Sequence, residues 1–201
     1  MIEGIVILVG YLVGSVSSAI IVCWALNLGD PRQDGSGNPG ATNVLRLAGR
    51  GAALATLLGD WIKGTLPVLL ALWITDDAAV IAATGLAAFF GHLYPVFFRF
   101  QGGKGVATGM GVLLGWAPYA LAATALTWIA VAGLFRYSSL AAIVAFALAP
   151  VYMLWITQNP VLAVATVVLG VACVWRHREN IVRLATGEEK KIQGPGAGGS
   201  K

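Results

Sequence analysis

Seven long apolar stretches, separated by short polar connections, dominate the pattern of hydrophobic and polar positions along this chain. A helix of ~20 residues crosses the hydrocarbon core of a bilayer, so each stretch is a candidate transmembrane helix. The pattern therefore predicts an all-α integral membrane protein with seven transmembrane helices. The stretches cover residues 5–26, 51–74, 78–98, 106–116, 119–135, 138–156 and 161–175.

The fourth stretch, 106–116, is only about half as long as a full span and follows a glycine-containing loop at 99–105. Irregular backbone at membrane depth is tolerated only where it lines a cavity or is buried in protein. We therefore expect a re-entrant-like glycine loop that dips into the membrane, followed by one short helix. In the first stretch, Gly10 and Gly14 form a small-xxx-small pair that favours close helix packing.

The composition supports this prediction and excludes a soluble globule. The chain has 201 residues, of which 58% are hydrophobic and 11% are charged, and its mean hydropathy is +0.79. Soluble domains carry roughly 25% charged residues, and disordered chains have too little apolar material to match this one. We expect a single polytopic domain over 1–193. A disordered, Gly-rich tail over 194–201, of the kind that expression vectors leave behind, is expected to follow it.

The net charge of +4 has a topological explanation, because the cationic residues fall on alternate connections. Lys and Arg follow the first, third, fifth and seventh stretches, whereas the other connections carry Asp or uncharged residues. Positive charge accumulates on the cytoplasmic side of membrane proteins, so the N-terminus is expected outside and the C-terminus in the cytoplasm. No stripe of aromatic and basic residues accompanies the charge, and no nucleic acid partner is expected.

Three ionisable residues, Asp60, Lys63 and His92, lie inside the apolar stretches. Asp60 and Lys63 are three positions apart and are expected to neutralise each other, because isolated charges are costly in lipid. The pattern leaves open whether these residues also have a function. Cys23 and Cys173 lie in apolar stretches and are expected to be inert core thiols.

The first candidate site segment, GSGNPGATN over 35–43, follows the first apolar stretch. Its letters contain the dinucleotide-binding pattern G-x-G-x-x-G, but no βαβ unit surrounds it, so we reject that interpretation. The glycines nevertheless free backbone N–H groups to curl around an anion. Thr42 or Asn43 is expected to cap a short helix, whose N-terminus would add a positive dipole end.

A second glycine-rich segment, QGGKG over 101–105, precedes the short fourth helix. It is not a Walker A loop, because Gly105 stands where Ser or Thr would follow the lysine. A lysine between glycines at the N-terminus of a helix is still well placed to hold a phosphate. Lys104 is therefore a candidate phosphate ligand.

The third segment begins at His177, directly after the last apolar stretch. Helical spacing places His177 and Asn180 near one face, while Glu179 and Arg183 are spaced to pair on another. The chain shows no Cys and His pattern for a metal, no Ser-His-Asp triad and no H-x-x-x-x-D acyltransferase motif. Two anion-binding loops beside an apolar bundle indicate recognition of phosphate with one lipid substrate.

The segments SGNPGATNVLR over 36–46, GHLYPVFFRFQGGKGVAT over 91–108 and HRENIVRLATGEE over 177–189 resemble the three motifs of bacterial acyl-phosphate:glycerol-3-phosphate acyltransferases, the PlsY family. The resemblance covers nearly the whole chain. It implies a multi-pass enzyme of the bacterial inner membrane, with its active site toward the cytoplasm and no cofactor or metal. The implied reaction moves a fatty acyl group from acyl phosphate to the 1-hydroxyl of sn-glycerol 3-phosphate. It gives lysophosphatidic acid and inorganic phosphate, the first acylation step of phospholipid synthesis.

The motifs and the resemblance together assign roles to individual residues, and the enzyme is expected to be a monomer. The expected catalytic residues are Ser36, Arg46, Lys104, His177 and Asn180. The expected substrate- and phosphate-binding residues are Gly37, Asn38, Thr42, Asn43, Gly102, Gly103 and Gly105, and Glu189 is expected to be structural.

On this hypothesis Arg46 and Lys104 hold the two phosphates, because both donate to anions and neither is a plausible base at neutral pH. Ser36, backbone N–H groups and Asn180 position the donor and the developing oxyanion. An acyl phosphate is already activated, so the glycerol hydroxyl attacks it directly. The general base stays open between His177 and a phosphate oxygen of the donor.

Two other classes compete with this hypothesis. A transporter or flippase of a phosphorylated metabolite or lipid would also place anion sites among broken helices, although the sequence shows no internal repeat. A phosphatidyl-transfer enzyme would need several aspartates for a metal, and the inner face of the predicted bundle has no such cluster.

Overall fold

The computed structural model describes residues 1–192, so the tail predicted over 194–201 lies outside the described residues. The described chain consists of helices and connections, with no β-strand, and the all-α prediction is confirmed. A short 3₁₀ turn, Val96–Phe98, follows α4. The helices are α1 (Ile2–Gly14), α2 (Ser18–Ala25), α3 (Ala41–Ile74), α4 (Ala78–Leu93), α5 (Val106–Trp116), α6 (Pro118–Phe135), α7 (Ser138–Thr157), α8 (Pro160–Arg176) and α9 (Arg178–Ala185).

Within residues 1–192, 4 helices are long and apolar enough to cross a membrane: α3, α4 with its 3₁₀ turn, α6 and α7. Two bent pairs, α1 with α2 and α8 with α9, each qualify as one broken span, which raises the number to 6. The remaining predicted span corresponds to α5, a shorter apolar helix of 11 residues.

The first apolar stretch is not one straight helix, because α1 and α2 meet at an angle of 42°. In the break, the hydroxyl of Ser15 donates to the carbonyl of Tyr11 at 2.8 Å. The carbonyl of Val16 accepts a hydrogen bond from Nζ of Lys63 at 2.7 Å. Backbone groups freed by a break inside an apolar bundle need such partners. The single helix predicted over 5–26 is therefore a broken one, and a buried lysine supports the break.

Helix α3 starts at Ala41, well before the apolar stretch that predicted it. Its N-cap residue is Gly40 and no side chain caps it, so the expected cap by Thr42 or Asn43 is wrong. The helix bends at Gly49, where a φ of 78° requires the freedom of glycine. The kink separates the polar first turns of α3 from its apolar remainder.

Close crossings hold α1 against α4 and α3 against α5. A Cβ atom on Gly14 would overlap the backbone of Ala88, and one on Gly64 would overlap the carbonyl of Thr108. Gly10 likewise faces α4 without room for a side chain. The close packing predicted for Gly10 and Gly14 is confirmed, and these four helices form a tightly packed frame.

The ion pair predicted for Asp60 and Lys63 is present inside this frame, with Nζ 2.7 Å from Oδ1. His92 joins it, since its Nδ1 lies 3.7 Å from the same oxygen of Asp60. All three residues are buried, as apolar surroundings demand of paired charges. The predicted core positions of Cys23 and Cys173 are also confirmed.

Candidate active site

The glycine loop (residues 102–105) leads from the end of α4 into α5 and lies at the centre of the site. Arg176, the last residue of α8, donates from Nη2 to the carbonyl of Gly102 at 2.8 Å. Its Nε donates to the carbonyl of Gly103 at 3.0 Å. On the other side, the N–H of Gly103 donates to the carbonyl of His92 at 3.2 Å. Groups from α4 and α8 therefore hold the loop on opposite sides.

Beyond Gly103, the backbone N–H groups of residues 104–108 form what we call the anion cradle. Within the described chain, none of these five groups donates a hydrogen bond to another protein atom. Gly105 takes a left-handed φ of 87°, which turns the backbone into α5. Unpaired N–H groups at the start of a helix attract anions, and here they are gathered in one turn. The cradle is therefore suited to a phosphate group.

Lys104 extends from the glycine loop to the third segment of the sequence. Its Nζ donates to Oδ1 of Asn180. The amide nitrogen of Asn180 in turn donates to Oε1 of Glu189 at 2.8 Å. Asn180 is buried and engaged at both ends, so its orientation is determined. Lys104 is held next to the cradle by this chain of hydrogen bonds.

Glu189 anchors the same chain from the C-terminal side. Its Oε1 also accepts from the hydroxyl of Ser139 at 2.8 Å, and its Oε2 accepts from Nε of Arg183 at 2.8 Å. The pair predicted between Glu179 and Arg183 is wrong, because Arg183 turns to Glu189 instead. Burial alone would raise the pKa of Glu189, but the hydrogen bonds from Arg183, Ser139 and Asn180 outweigh it and lower that pKa. Glu189 is therefore ionised where it holds Asn180.

The ammonium group of Lys104 is half-buried, and burial lowers its pKa below the usual range. The nearby guanidinium of Arg183 lowers the pKa further. A bound anion would raise it again, because an opposite charge favours the protonated form. Protonation of Lys104 and binding of a phosphate therefore support each other.

His177 lies at the break between α8 and α9, which meet at 56°. Its Nδ1 is 2.8 Å from the carbonyl oxygen of Cys173. A carbonyl oxygen only accepts hydrogen bonds, so Nδ1 carries the hydrogen and Nε2 of the neutral ring keeps its lone pair. Asn180 follows one turn later, and both side chains are buried. His177 can thus accept a hydrogen bond or a proton through Nε2.

Asn43, in the first turn of α3, organises the neighbouring first loop (residues 35–40). Its Oδ1 accepts from the N–H of Ser36 at 2.9 Å. Its Nδ2 donates to the carbonyl of Pro31 at 2.8 Å and to that of Asp34 at 3.0 Å. The residue is 1% exposed. Sequence reasoning gave Asn43 a phosphate-binding role; in the structure its amide is bound to the backbone of Ser36 in the first loop and of Pro31 and Asp34 before it.

The first loop adjoins the glycine loop. A Cβ atom on Gly103 would lie 3.3 Å from the carbonyl oxygen of Pro39. Nearby, Nη1 of Arg32 donates to the carbonyl of Phe98 at 3.0 Å and ties the residues before the first loop to the 3₁₀ turn. Hydrogen bonds within the described chain do not join Ser36 or Arg46 to the third segment. Four predicted site residues keep accessible side chains here: Ser36, Asn38, Thr42 and Arg46.

Sequence reasoning missed two residues that the structure places in this network. Arg176 counted only as a positive charge on the connection after α8, although its position directly before His177 was a usable signal. Ser139 carried no signal, because its partner Glu189 is 50 positions away. The structure thus joins Lys104, Asn180 and Glu189 directly and leaves Ser36 and Arg46 on the adjoining surface.

An all-α bundle of apolar spans, with an anion cradle and a lysine beside it, defines a membrane protein that handles a phosphate-bearing molecule. A sequence profile described as "Glycerol-3-phosphate acyltransferase" matches residues 4–187. The chain therefore belongs to the glycerol-3-phosphate acyltransferase family, as its motifs predicted.

Individual relatives and solved structures support the same assignment. The chain is 69% identical to a glycerol-3-phosphate acyltransferase of Halorhodospira halophila, over 98% of this chain and 100% of the relative. It is 56% identical to one of Methylococcus capsulatus, over 95% of this chain and 96% of the relative.

The fold is similar to a crystal structure of PlsY, an integral membrane glycerol 3-phosphate acyltransferase, in its glycerol 3-phosphate form. The TM-score is 0.92, with 36% identity over 96% of each chain. A lysophosphatidic acid form gives a TM-score of 0.89, with 37% identity over 95% of each chain. The chain is a multi-pass membrane protein.

Proposed function

We propose that this protein transfers a fatty acyl group from acyl phosphate to the 1-hydroxyl of sn-glycerol 3-phosphate. The products are lysophosphatidic acid and inorganic phosphate. The observation that carries the proposal is Lys104, held by Asn180 beside a turn of unpaired backbone N–H groups. Membership of the family and the ligands named for the two PlsY structures support it.

The anion cradle and Lys104 bind the phosphate of glycerol 3-phosphate in this proposal. Backbone N–H groups and a cation next to apolar surfaces hold a phosphate strongly, because the local dielectric constant is low. In the same proposal Ser36 and Arg46 bind the phosphate of the second substrate. The contact between Pro39 of the first loop and Gly103 of the glycine loop supports this assignment.

The donor is an acyl phosphate, a mixed anhydride that needs no acyl-enzyme intermediate. The 1-hydroxyl oxygen of glycerol 3-phosphate attacks the acyl carbonyl carbon and forms the ester bond. The bond between that carbon and the phosphate oxygen then breaks, and phosphate leaves with the electron pair. Ser36, backbone N–H groups and Asn180 stabilise the negative charge that develops on the carbonyl oxygen.

The proton of the attacking hydroxyl goes either to Nε2 of His177 or to a phosphate oxygen of the donor. The hydrogen bond from Nδ1 of His177 to the Cys173 carbonyl supports the first route, because it leaves Nε2 as an acceptor. The pH–rate profile of His177→Gln separates the two. A loss of activity that no pH rescues supports the base role, whereas a partial loss with an unchanged profile supports positioning and proton transfer to phosphate.

One experiment tests the function directly. Purified protein in detergent is mixed with palmitoyl phosphate and glycerol 3-phosphate, and lysophosphatidic acid and phosphate are measured together. Equal amounts of both products are expected. Flux of a phosphorylated compound across proteoliposomes without ester formation would instead identify a transporter.

We further propose seven membrane crossings in the bacterial inner membrane, with the N-terminus outside and the active site toward the cytoplasm. The alternation of charged connections supports this orientation. Both native cysteines are buried, so an impermeant maleimide should react only with introduced ones. In intact spheroplasts Asp76→Cys should be labelled and Arg136→Cys should not; the reverse result would invert the topology.

The proposed unit is a monomer with a single domain over 1–193. Light scattering of the detergent complex should give one chain per micelle while activity is retained.

A further inference from the structure

We propose that Arg176 is a positioning residue of this enzyme: it directs the backbone N–H groups of the anion cradle and touches neither substrate. The inference rests on the proposed function, because it concerns how the phosphate of glycerol 3-phosphate is held. Neither the motifs nor the resemblance assigns Arg176 a role in the reaction.

The geometry of the peptide unit carries the argument. The C=O and N–H of a planar trans peptide point in opposite directions. In the peptide between Gly102 and Gly103, the oxygen is bound by Arg176 and the hydrogen by the carbonyl of His92. In the next peptide, the oxygen of Gly103 is also bound by Arg176. The N–H of Lys104, the first group of the anion cradle, must therefore point away from Arg176.

The guanidinium edge that makes these bonds cannot bind a phosphate at the same time. Arginine grips carboxylates and phosphates through two parallel N–H groups. Here Nε and Nη2 of Arg176 are both engaged with loop carbonyls, at 3.0 Å and 2.8 Å. Cζ of Arg176 also lies 5.8 Å from the centre of the Tyr94 ring. The backbone carbonyl of Tyr94 accepts a hydrogen bond from the hydroxyl of Tyr11. These contacts keep the guanidinium on the loop.

The opposite side of the glycine loop is closely packed, so Arg176 is the contact whose loss leaves the loop free to change its orientation. A Cβ atom on Gly103 would overlap the imidazole of His92, so the loop already rests against that ring. His92 is buried and lies beside Asp60, which is paired with Lys63. Loss of Arg176 would release both carbonyls of the loop while the His92 side stays in place. The peptide of Lys104 could then rotate and turn its N–H away from the phosphate.

The test uses the full-length enzyme in detergent, with palmitoyl phosphate as donor and Arg176→Met as the main variant. The KM for glycerol 3-phosphate should rise about tenfold, because two charge-assisted hydrogen bonds that shape the cradle are lost. The value of kcat should change less, and the KM for palmitoyl phosphate should stay within about twofold. Arg176→Lys keeps the charge and one possible bond, so it should lie between Met and wild type.

Arg178→Met is the matched control, since Arg178 is exposed and stacks on Trp175 at 5.5 Å without contacting the glycine loop. Its KM values should match those of the wild type. Gly103→Ala displaces the same peptide from the His92 side, so the double variant with Arg176→Met should be no worse than the weaker-binding single variant. If the double variant instead raises the KM for glycerol 3-phosphate by the product of the two single increases, Arg176 binds the phosphate itself, and the proposal is overturned.

An unchanged KM for glycerol 3-phosphate in Arg176→Met, with an active wild type, would also overturn it and leave the proposed function intact. Absence of lysophosphatidic acid in the wild-type reaction would reject the proposed function, and this inference with it. Should Arg176→Met fold poorly, as judged by its melting temperature, the comparison of Arg176→Lys with Arg178→Lys gives the same decision.

Discussion

The two glycine-rich loops of this protein are held in different ways. The glycine loop at 102–105 is buried at its first two residues and is fixed from outside, by Arg176 of α8 and the His92 carbonyl of α4. The first loop at 35–40 is mostly exposed and is fixed by a neighbour in the sequence, the side chain of Asn43 at the start of α3. Contacts with packed helices therefore shape the glycine loop, whereas short-range hydrogen bonds shape the first loop.

This difference suits two substrates with different demands. A cradle bound to packed helices presents its N–H groups in one geometry, which lowers the reorganisation needed to bind a phosphate. An exposed loop with a local brace remains accessible to solvent. Lys104 is half-buried and Arg46 is exposed, so salt screens the charge of Arg46 more strongly.

The largest expected effect separates these two cations. Lys104→Ala should lower kcat/KM for glycerol 3-phosphate about 10³-fold, because a cation in a low-dielectric site contributes strongly to phosphate binding and charge stabilisation. Arg46→Ala should lower kcat/KM for the acyl phosphate by roughly 10- to 100-fold, since an exposed charge is partly screened. Steady-state kinetics at low and high salt measure both. Lys190→Ala, which removes an exposed cation, is the control, and equal losses in the first two variants would contradict the comparison.

The next largest effect is on stability, at two glycines with a positive φ, Gly37 and Gly105. Alanine at Gly37 or Gly105 incurs the same cost of a positive φ, about 1 kcal/mol. At Gly105 the new methyl group would also overlap the ring of Phe89, which adds about 1–3 kcal/mol. At Gly37 the nearest atom is the carbonyl oxygen of Arg32 at 3.4 Å, an ordinary contact.

Gly105→Ala should therefore lower the melting temperature in detergent more than Gly37→Ala does. Gly51→Ala, at a helical position with open space, is the unstrained reference and should not lower the melting temperature. Similar shifts for Gly37 and Gly105 would mean that the glycine loop is not bound to the core as tightly as its packing indicates.

Asn43→Asp tests the internal brace of the first loop. The variant keeps an acceptor for the N–H of Ser36 but replaces two donors with an oxygen that faces the carbonyls of Pro31 and Asp34. The expected cost is about 2 kcal/mol, together with a weaker apparent affinity for the acyl phosphate. Melting and kinetics provide the readout. Gln33→Glu adds the same charge on an exposed neighbour and should behave as wild type; if the two variants agree, Asn43 does not brace the loop.

The smallest expected effect is on stability at acid pH and depends on the Glu189 carboxyl. Burial raises the pKa of this carboxyl, but its hydrogen bonds lower it further than burial raises it. A depressed folded-state pKa contributes stability above the ordinary value of 4.5, and that stability disappears as the pH falls through the folded value. Glu189→Gln should therefore flatten the acid limb of the melting-temperature curve. Glu188→Gln, an exposed neighbour, should leave the curve unchanged, and a steep acid limb in Glu189→Gln would contradict the assignment.

The sequence by itself determined the class of the protein and named most of its candidate site residues. Long apolar stretches have one stable solution in lipid, the helix, because every backbone group must be satisfied internally. Polar residues are rare in such a chain, so Lys104, His177 and Asn180 stood out. The break at Ser15, the early start of α3 and the true partner of Arg183 were not predictable, since local patterns do not show where a helix must bend to pack.

Only the tertiary structure decided which of these residues act together. Lys104 meets Asn180 across 76 positions, and Arg176 reaches Gly102 across 74. Hydrogen bonds of this kind depend on how helices cross and where side chains point, and periodicity contains neither. The sequence therefore provided the donors and acceptors, whereas the packing of α4, α5 and α8 decided their partners and gathered the unpaired N–H groups of the proposed anion site.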